Sequence, residues 1–169
     1  MAEAVHRLPS HPGRTPLRAP DPLAACRHAL AELMAVPDPA RIVLTTNATA
    51  SLNLAILGLG LGPGDHVVTT VTEHNSVLRP LEHVRLSQGI TVTHVSLSED
   101  GALDGDAFAR ALYHGARAVV VNHASNVTGR VNEVAALFAL ARRAGAVTVL
   151  DASQTLGHLP VKPLEVGAD

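Results

Sequence analysis

Ala116-Arg-Ala-Val-Val-Val-Asn-His-Ala-Ser-Asn-Val-Thr-Gly-Arg-Val-Asn-Glu-Val-Ala-Ala-Leu-Phe-Ala-Leu-Ala-Arg-Arg-Ala-Gly-Ala-Val-Thr-Val-Leu150 contains two kinds of apolar pattern in succession. Ala116 to Val121 is a short run rich in β-branched residues, which predicts a strand buried on both faces. Asn132 to Ala144 places Val134, Leu137, Phe138 and Ala141 at helical spacing, and Gly145 closes that helix. Val147 to Leu150 returns to a strand. Strand, helix and strand with short connections form the unit of a parallel sheet and its crossover helix.

The same alternation extends toward the N-terminus. Arg41 to Thr45 reads as a short β run, Thr49 to Leu57 as a helix ending at Gly58, and Gly62-Pro-Gly-Asp65 as a turn. His66 to Val71 is the next strand, Val77 to Ser87 a helix stopped by Gly89, Thr91 to Val95 a strand, and Leu103 to Tyr113 a helix. The chain is therefore expected to be α/β, with a largely parallel sheet covered by helices on both faces. Further upstream, Asp21-Pro22 supplies a cap and a first-turn proline for a helix striped by Leu23, Cys26, Leu30, Leu33 and Met34. Residues 1–22 carry five prolines and read as an extended arm or mobile segment, leaving 23–169 as the domain.

Composition narrows the function classes. Of 169 residues, 47% are hydrophobic and 2% aromatic, so the core must be built from Ala, Val, Leu and Ile, and base stacking on exposed rings is disfavoured. A net charge of −2 without a basic stripe argues against nucleic-acid and anionic-membrane partners. One cysteine, Cys26, excludes an internal disulfide framework and fits a reducing, cytoplasmic setting; on its helix it reads as core packing. There is no apolar run long enough for a bilayer span, and no apolar segment follows the basic N-terminus as in a secretory signal. None of the ten histidines forms an H-E-x-x-H pair, so no metal site is expected.

In open α/β sheets ligands sit at the carboxyl ends of the strands, which directs attention to four loops. Thr45-Thr-Asn-Ala-Thr-Ala-Ser51 joins a strand to a helix start; its small residues, free amides and the hydroxyls of Thr46, Thr49 and Ser51 suit a phosphate, or an ordinary capped turn. Glu73-His-Asn-Ser76 offers His74 for ring stacking or proton transfer, or as a solvated loop residue. Asn122-His-Ala-Ser-Asn-Val-Thr-Gly129 gathers neutral hydrogen-bonding groups at the sheet edge, or is a polar turn closed by Gly129. Asp151-Ala-Ser-Gln154 ends an apolar strand with a carboxylate, which is costly without a cation, a metal, a ribose hydroxyl, a histidine or a protonated ring nitrogen beside it. P-loop, dinucleotide and nucleophile-elbow motifs are all absent.

Taken in order, 41–54 (RIVLTTNATASLNL), 64–80 (GDHVVTTVTEHNSVLRP), 121–129 (VNHASNVTG) and 150–161 (LDASQTLGHLPV) resemble the class V aminotransferase fold, specifically the cysteine desulfurase and selenocysteine lyase group. The resemblance runs from about residue 38 to 169, and weakly over Pro12-Gly-Arg14. It implies a pyridoxal-phosphate enzyme removing sulfur or selenium from cysteine or selenocysteine to leave alanine; a transaminase or lyase of the same fold is the near alternative, and a non-catalytic cofactor-binding remnant another. By position it implies that Ala48 and Thr49 bind phosphate, and that His74 stacks on the ring and shuttles protons. It likewise implies that Asn126 and Gln154 flank the ring oxygen and that Asp151 pairs with the ring nitrogen.

The resemblance also implies what this stretch lacks. The family's Schiff-base lysine lies in a Ser-Gly-His-Lys motif that residues 1–169 do not contain, and the single lysine, Lys162, between two prolines, reads as a surface residue. The expectation is thus a partial large domain of fold type I, without its later strands or its C-terminal small domain, from a homodimeric family and inactive alone. Exposed strand edge and apolar helix faces would then make it poorly soluble.

Overall fold

The computed structural model describes residues 21–169, so residues 1–20 of the expected proline-rich arm lie outside the described residues. The described residues divide into two compact units, 21–44 and Thr45–Asp169.

In the first unit, α1 (Pro22–Leu33) starts as the sequence predicts: the Asp21 side chain accepts from Leu23 N at 3.0 Å and Pro22 occupies the first helical position. The rest departs from expectation. Ala31 is the one helix residue fully buried, and Cys26 is exposed, so the reading of Cys26 as core packing is corrected: the helix has too little apolar neighbourhood to bury that side. The expected β run at Arg41–Thr45 is also corrected. Asp38 caps Ala40 N at 2.9 Å and starts a 3₁₀ turn, Pro39–Arg41. Residues 42–45 are not paired as a strand among the described residues, and Val43 is 68% exposed; β-branched residues make a strand only where a neighbour completes the ladder.

The second unit is the α/β sandwich. Its elements run α2 (Ala48–Gly58), β1 (His66–Thr70), α3 (Asn75–Gln88), β2 (Thr91–Val95), α4 (Gly105–Leu112), β3 (Ala118–Asn122), α5 (Val134–Arg143), β4 (Val147–Asp151) and the short α6 (Pro163–Val166). The strands form one sheet in the order β2-β1-β3-β4, all parallel. Alternation along the central strands divides the core. Val67, Ala118 and Val120 pack under α2 and α3 with Leu52, Ile56, Val77 and Leu81. Val68, Val119 and Val121 pack under α4 and α5 with Phe108, Leu112, Leu137 and Phe138. Both faces are covered, as a parallel sheet requires.

Local chemistry sets the helix bounds. Asp104 caps Ala107 N at 2.8 Å, and Gly89 ends α3 in the left-handed region at φ 71°, where other residues are strained. Pro80 lies inside α3 and cannot donate to the Ser76 carbonyl; Asn53 Nδ2 from α2 approaches that carbonyl at 3.5 Å instead.

The ladder is uneven. β1 pairs with β2, and β3 with β4, over five residues each. Between β1 and β3 the register covers Val67↔Ala118 and Val68↔Val119 and then stops. Beyond it the strands fork, and side chains span the gap: Thr69 Oγ1 donates to Val120 O at 2.9 Å, and Asn122 N donates to Glu73 Oε1 at 3.0 Å. The chain order also reverses direction here, since β2 lies on one side of β1 and β3 on the other. A crevice at the carboxyl end follows from that topology.

Candidate functional site

The fork opens into a cavity of about 210 Å³ lined by Ala48, Thr49, His74, Ser76, Asn122, Ala124, Asn126, Asp151, Ser153 and Gln154. The residues to which the resemblance gives cofactor contacts, Ala48, Thr49, His74, Asn126, Asp151 and Gln154, are all on that wall. They come from four loops separated by up to about a hundred residues and meet only because the strands are parallel.

Each wall has its own local cause. Asn47 caps α2, its side chain accepting from Ala50 N at 2.9 Å, and the Ala48 and Thr49 amides at the helix start have no partner among the described residues. Unsatisfied amides at the positive end of a helix attract an anion. The expected extra hydroxyl donors act otherwise: Thr45 and Ser51 bond each other at 2.6 Å, and neither Thr46 nor Ser51 lines the cavity.

His74 is the N-cap of α3. Its Nδ1 accepts from Ser76 N at 3.2 Å and pairs with Ser76 Oγ at 2.8 Å. A nitrogen that accepts from an amide carries the lone pair, so the neutral ring holds its proton on Nε2.

After β3, Ser125 Oγ accepts from Val127 N and Thr128 N, while Gly129 N donates to Ser125 O at 2.9 Å. This tight turn, with Gly129 at φ 71°, presents Asn126 without a side-chain partner among the described residues. His123 ties it to the last loop: Nδ1 meets Thr155 Oγ1 at 2.9 Å and its amide donates to Asp151 O at 2.8 Å. Partial burial holds the His123 ring below the usual histidine range, with Glu133 opposing.

Asp151 is buried at the end of β4, and Ser153 holds one oxygen through both its amide and its hydroxyl. Gln154 beside it is exposed, like Ala48, Thr49, His74 and Asn126. The site is thus a buried carboxylate floor surrounded by neutral donors, with a helix start at one end. No group of three His, Cys, Asp or Glu side chains able to hold a metal occurs among the described residues.

Ser76, Asn122, Ala124 and Ser153 also line the cavity, although no role for them was legible in the sequence. Glu73 was missed in the same way. It is 7% exposed, and burial pushes its carboxyl up to about 7 against the pull of the Thr70 and Asn122 hydrogen bonds. The signal was present: Glu73, like Asp151, follows a buried strand, and the same desolvation argument applies. Lys162 lies outside the cavity, exposed and paired with Glu165 at 2.9 Å.

The family model for class-V aminotransferases matches residues 2–169. A probable cysteine desulfurase from Synechocystis is 35% identical over 148 residues, covering 86% of this chain and 35% of that relative. The apo cysteine desulfurase of Thermococcus onnurineus superposes with a TM-score of 0.82 at 34% identity, over 87% of this chain and 37% of that one. A variant of the enzyme C-DES, solved with glycine covalently linked to its PLP cofactor, superposes at 0.78 with 27% identity, over 87% and 40%. The chain spans about a third of the length of the curated relatives it matches. The chain belongs to the class-V aminotransferase family, and the relatives it is similar to include cysteine desulfurases and a cystine C-S lyase.

Proposed function

We propose that this pocket holds pyridoxal 5′-phosphate and that residues 23–169 are part of the large domain of a cysteine desulfurase-type enzyme acting on cysteine or a related amino acid. The observation that carries this is the convergence of helix-start amides, a ring-sized histidine, two free carboxamides and a buried carboxylate on one cavity. That donor set fits the group: an anion site, a flat wall, acceptor-facing amides and a counter-charge for a protonated ring nitrogen.

In this reading the roles follow the resemblance. Ala48 and Thr49 receive the phosphate, the first through its amide and the second through amide and hydroxyl. His74 would stack on the ring and, with Nδ1 engaged by Ser76, would have Nε2 to hold or move a proton. Asn126 and Gln154 orient the ring through its oxygen. Asp151, fixed by Ser153, holds the ring nitrogen in its protonated form. When bound, the cofactor supplies an electron sink for chemistry at the amino acid's α-carbon.

Removal of the α-proton and covalent capture call for an amine at the pocket, and Lys162 is not placed there. That observation favours a second reading for the stretch taken alone: it binds cofactor without turning over substrate. A cytoplasmic, homodimeric setting belongs to the same reading. It is supported by the single thiol and by exposed apolar residues on α2, Leu54 at 58% and Leu57 at 51%. Among the described residues no helix is long and apolar enough to cross a membrane.

Equilibrium dialysis with pyridoxal phosphate and, separately, a nucleotide tests the binding. Saturable uptake of the first alone is expected; affinity for the nucleotide alone would replace this reading with a nucleotide-binding domain. Borohydride treatment of the loaded chain is expected to leave its mass unchanged, and a stable adduct on Lys162 would overturn that residue's assignment.

A further inference from the structure

Glu73 lies at the point where β1 and β3 part, and none of the cofactor roles uses it. Its Oε1 accepts from Thr70 Oγ1 at 2.6 Å on its own side of the fork and from Asn122 N at 3.0 Å on the other. Its Oε2 is buried with no partner among the described residues. Further bonds tie the same lips together. Asn122 Nδ2 donates to Thr72 O at 2.7 Å, and Asn132 Nδ2 donates to both oxygens of Asn122 at 2.9 Å. The net therefore spans the β1 loop, the end of β3 and the approach to α5.

The net reaches the pocket at one member and borders it at another. Asn122 lines it, and the residue after Glu73 is His74. With the β1–β3 ladder ending at Val68↔Val119, no backbone pair sets the distance between those walls. The Glu73 carboxyl is the side chain that joins the His74 loop to the Asn122 backbone. One side-chain oxygen joins both strands because its two lone pairs accept both donors at once.

We infer that Glu73 is a positioning residue, a clamp across the β1–β3 fork that sets the separation of His74 from the Asn122–Asn126 wall of the pocket. Only its consequence for cofactor affinity rests on the proposed function; the clamp itself is a property of this chain.

The test compares the chain with Glu73→Ala and Glu73→Gln, the second keeping an oxygen in the Oε1 position. Two readouts are taken: amide exchange and His74 ring shifts by NMR, and the dissociation constant for pyridoxal phosphate by dialysis. In Glu73→Ala the Asn122 amide is expected to exchange about ten-fold faster, with Val119 and Val149 unchanged, the His74 ring signals displaced and the cofactor held about ten-fold more weakly. Glu73→Gln is expected to restore all three. An Asn122 amide or His74 ring indifferent to Glu73→Ala overturns the clamp, as does failure of Glu73→Gln to rescue. Unchanged affinity despite a freed Asn122 amide overturns the positioning role. A parent chain that binds no pyridoxal phosphate refutes the cofactor reading, while the exchange and ring signals still decide the clamp. Should Glu73→Ala not fold, Thr70→Val removes one donor to Oε1 and must speed Asn122 exchange about three-fold, or the clamp is wrong.

Discussion

The two sides of β3 differ in how they are held. Toward β4 the ladder runs unbroken from Ala118↔Val147 to Asn122↔Asp151, and His123 N extends it to Asp151 O. Toward β1 it stops after two pairs, and Thr69 and Glu73 take over with side chains. The closed side aligns Asp151 with the β3 loop by backbone alone. The open side makes room for a ligand, and its spacing depends on particular side chains. Backbone pairing tolerates substitution because every residue offers the same groups, whereas a side-chain bridge is lost with one change.

The comparison implies effects of decreasing size. Phe138 is fully buried beneath the closed side, in the cluster with Val119, Val121 and Phe108. Phe138→Ala should cost about 4 kcal/mol and lower the denaturation midpoint of the whole second unit, since its core is shared by both sides of β3. Loss confined to α5, seen by amide exchange, would show that the sheet is not one cooperative unit.

Glu73 gives the fork a pH dependence. Burial pushes its carboxyl from the usual 4.5 up to about 7, and the neighbouring Asp151 charge adds to the rise. Between those values the folded chain keeps a proton that the unfolded chain has released. Stability from this group is therefore present below the lower value and lost as pH climbs through the upper one. The gap corresponds to roughly 3 kcal/mol. Glu73→Gln cannot ionise, so relative to the parent it should gain stability from about pH 5 to about pH 8, read from denaturant midpoints. Parallel profiles for the two proteins would mean that Glu73 is not desolvated at the fork.

Asp151 tests the closed side through the ligand. Asp151→Asn retains an oxygen for Ser153 and should leave the fold intact, while weakening pyridoxal phosphate about 100-fold by removing the counter-charge to the ring nitrogen. The measurement is dialysis at neutral pH. An affinity within about three-fold of the parent would remove Asp151 from the role assigned to it.

The elements of the second unit are legible in the sequence because short β-branched runs and helical stripes are local patterns, and all four strands and their connecting helices stand where the patterns put them. Arg41–Thr45 misleads for the same reason: Ile-Val-Leu is a strand pattern, but pairing is decided by a neighbour the pattern does not name. Cys26 misleads because a stripe shows which face is apolar and not whether anything covers it. The pocket's exposed wall residues are found through motifs taken in order. Their closeness is not local, since it depends on β3 lying between β1 and β4. Glu73 escapes because its partner Asn122 is 49 residues away and the bond uses a backbone amide, which leaves no mark on residue identity.

The smallest effect separates the two sides most cleanly. Thr69 and Thr148 are both buried strand threonines with engaged hydroxyls: Thr69 donates to Val120 O at 2.9 Å across the fork, Thr148 to Gly167 O at 2.6 Å beside β4. Valine matches threonine in shape, so each replacement removes the hydroxyl's bonding, to Val120 O for Thr69 and to Gly167 O and Asp169 Oδ2 for Thr148, with little change in packing and should cost about 1 kcal/mol or somewhat more for Thr148. Their consequences for the site should differ. Without its Thr69 bridge the fork keeps only the bonds of Asn122 to Glu73 and to Thr72 O near the pocket, so Thr69→Val should speed amide exchange at Val121 and Asn122. Thr148→Val should leave those amides as they were, because Val120↔Val149 and the pairs on either side of it still fix β3 to β4. Equal exchange at Asn122 in both variants would mean that the side-chain bridges merely accompany a fork held open by something else, and the contrast between the two edges of β3 would lose its physical basis.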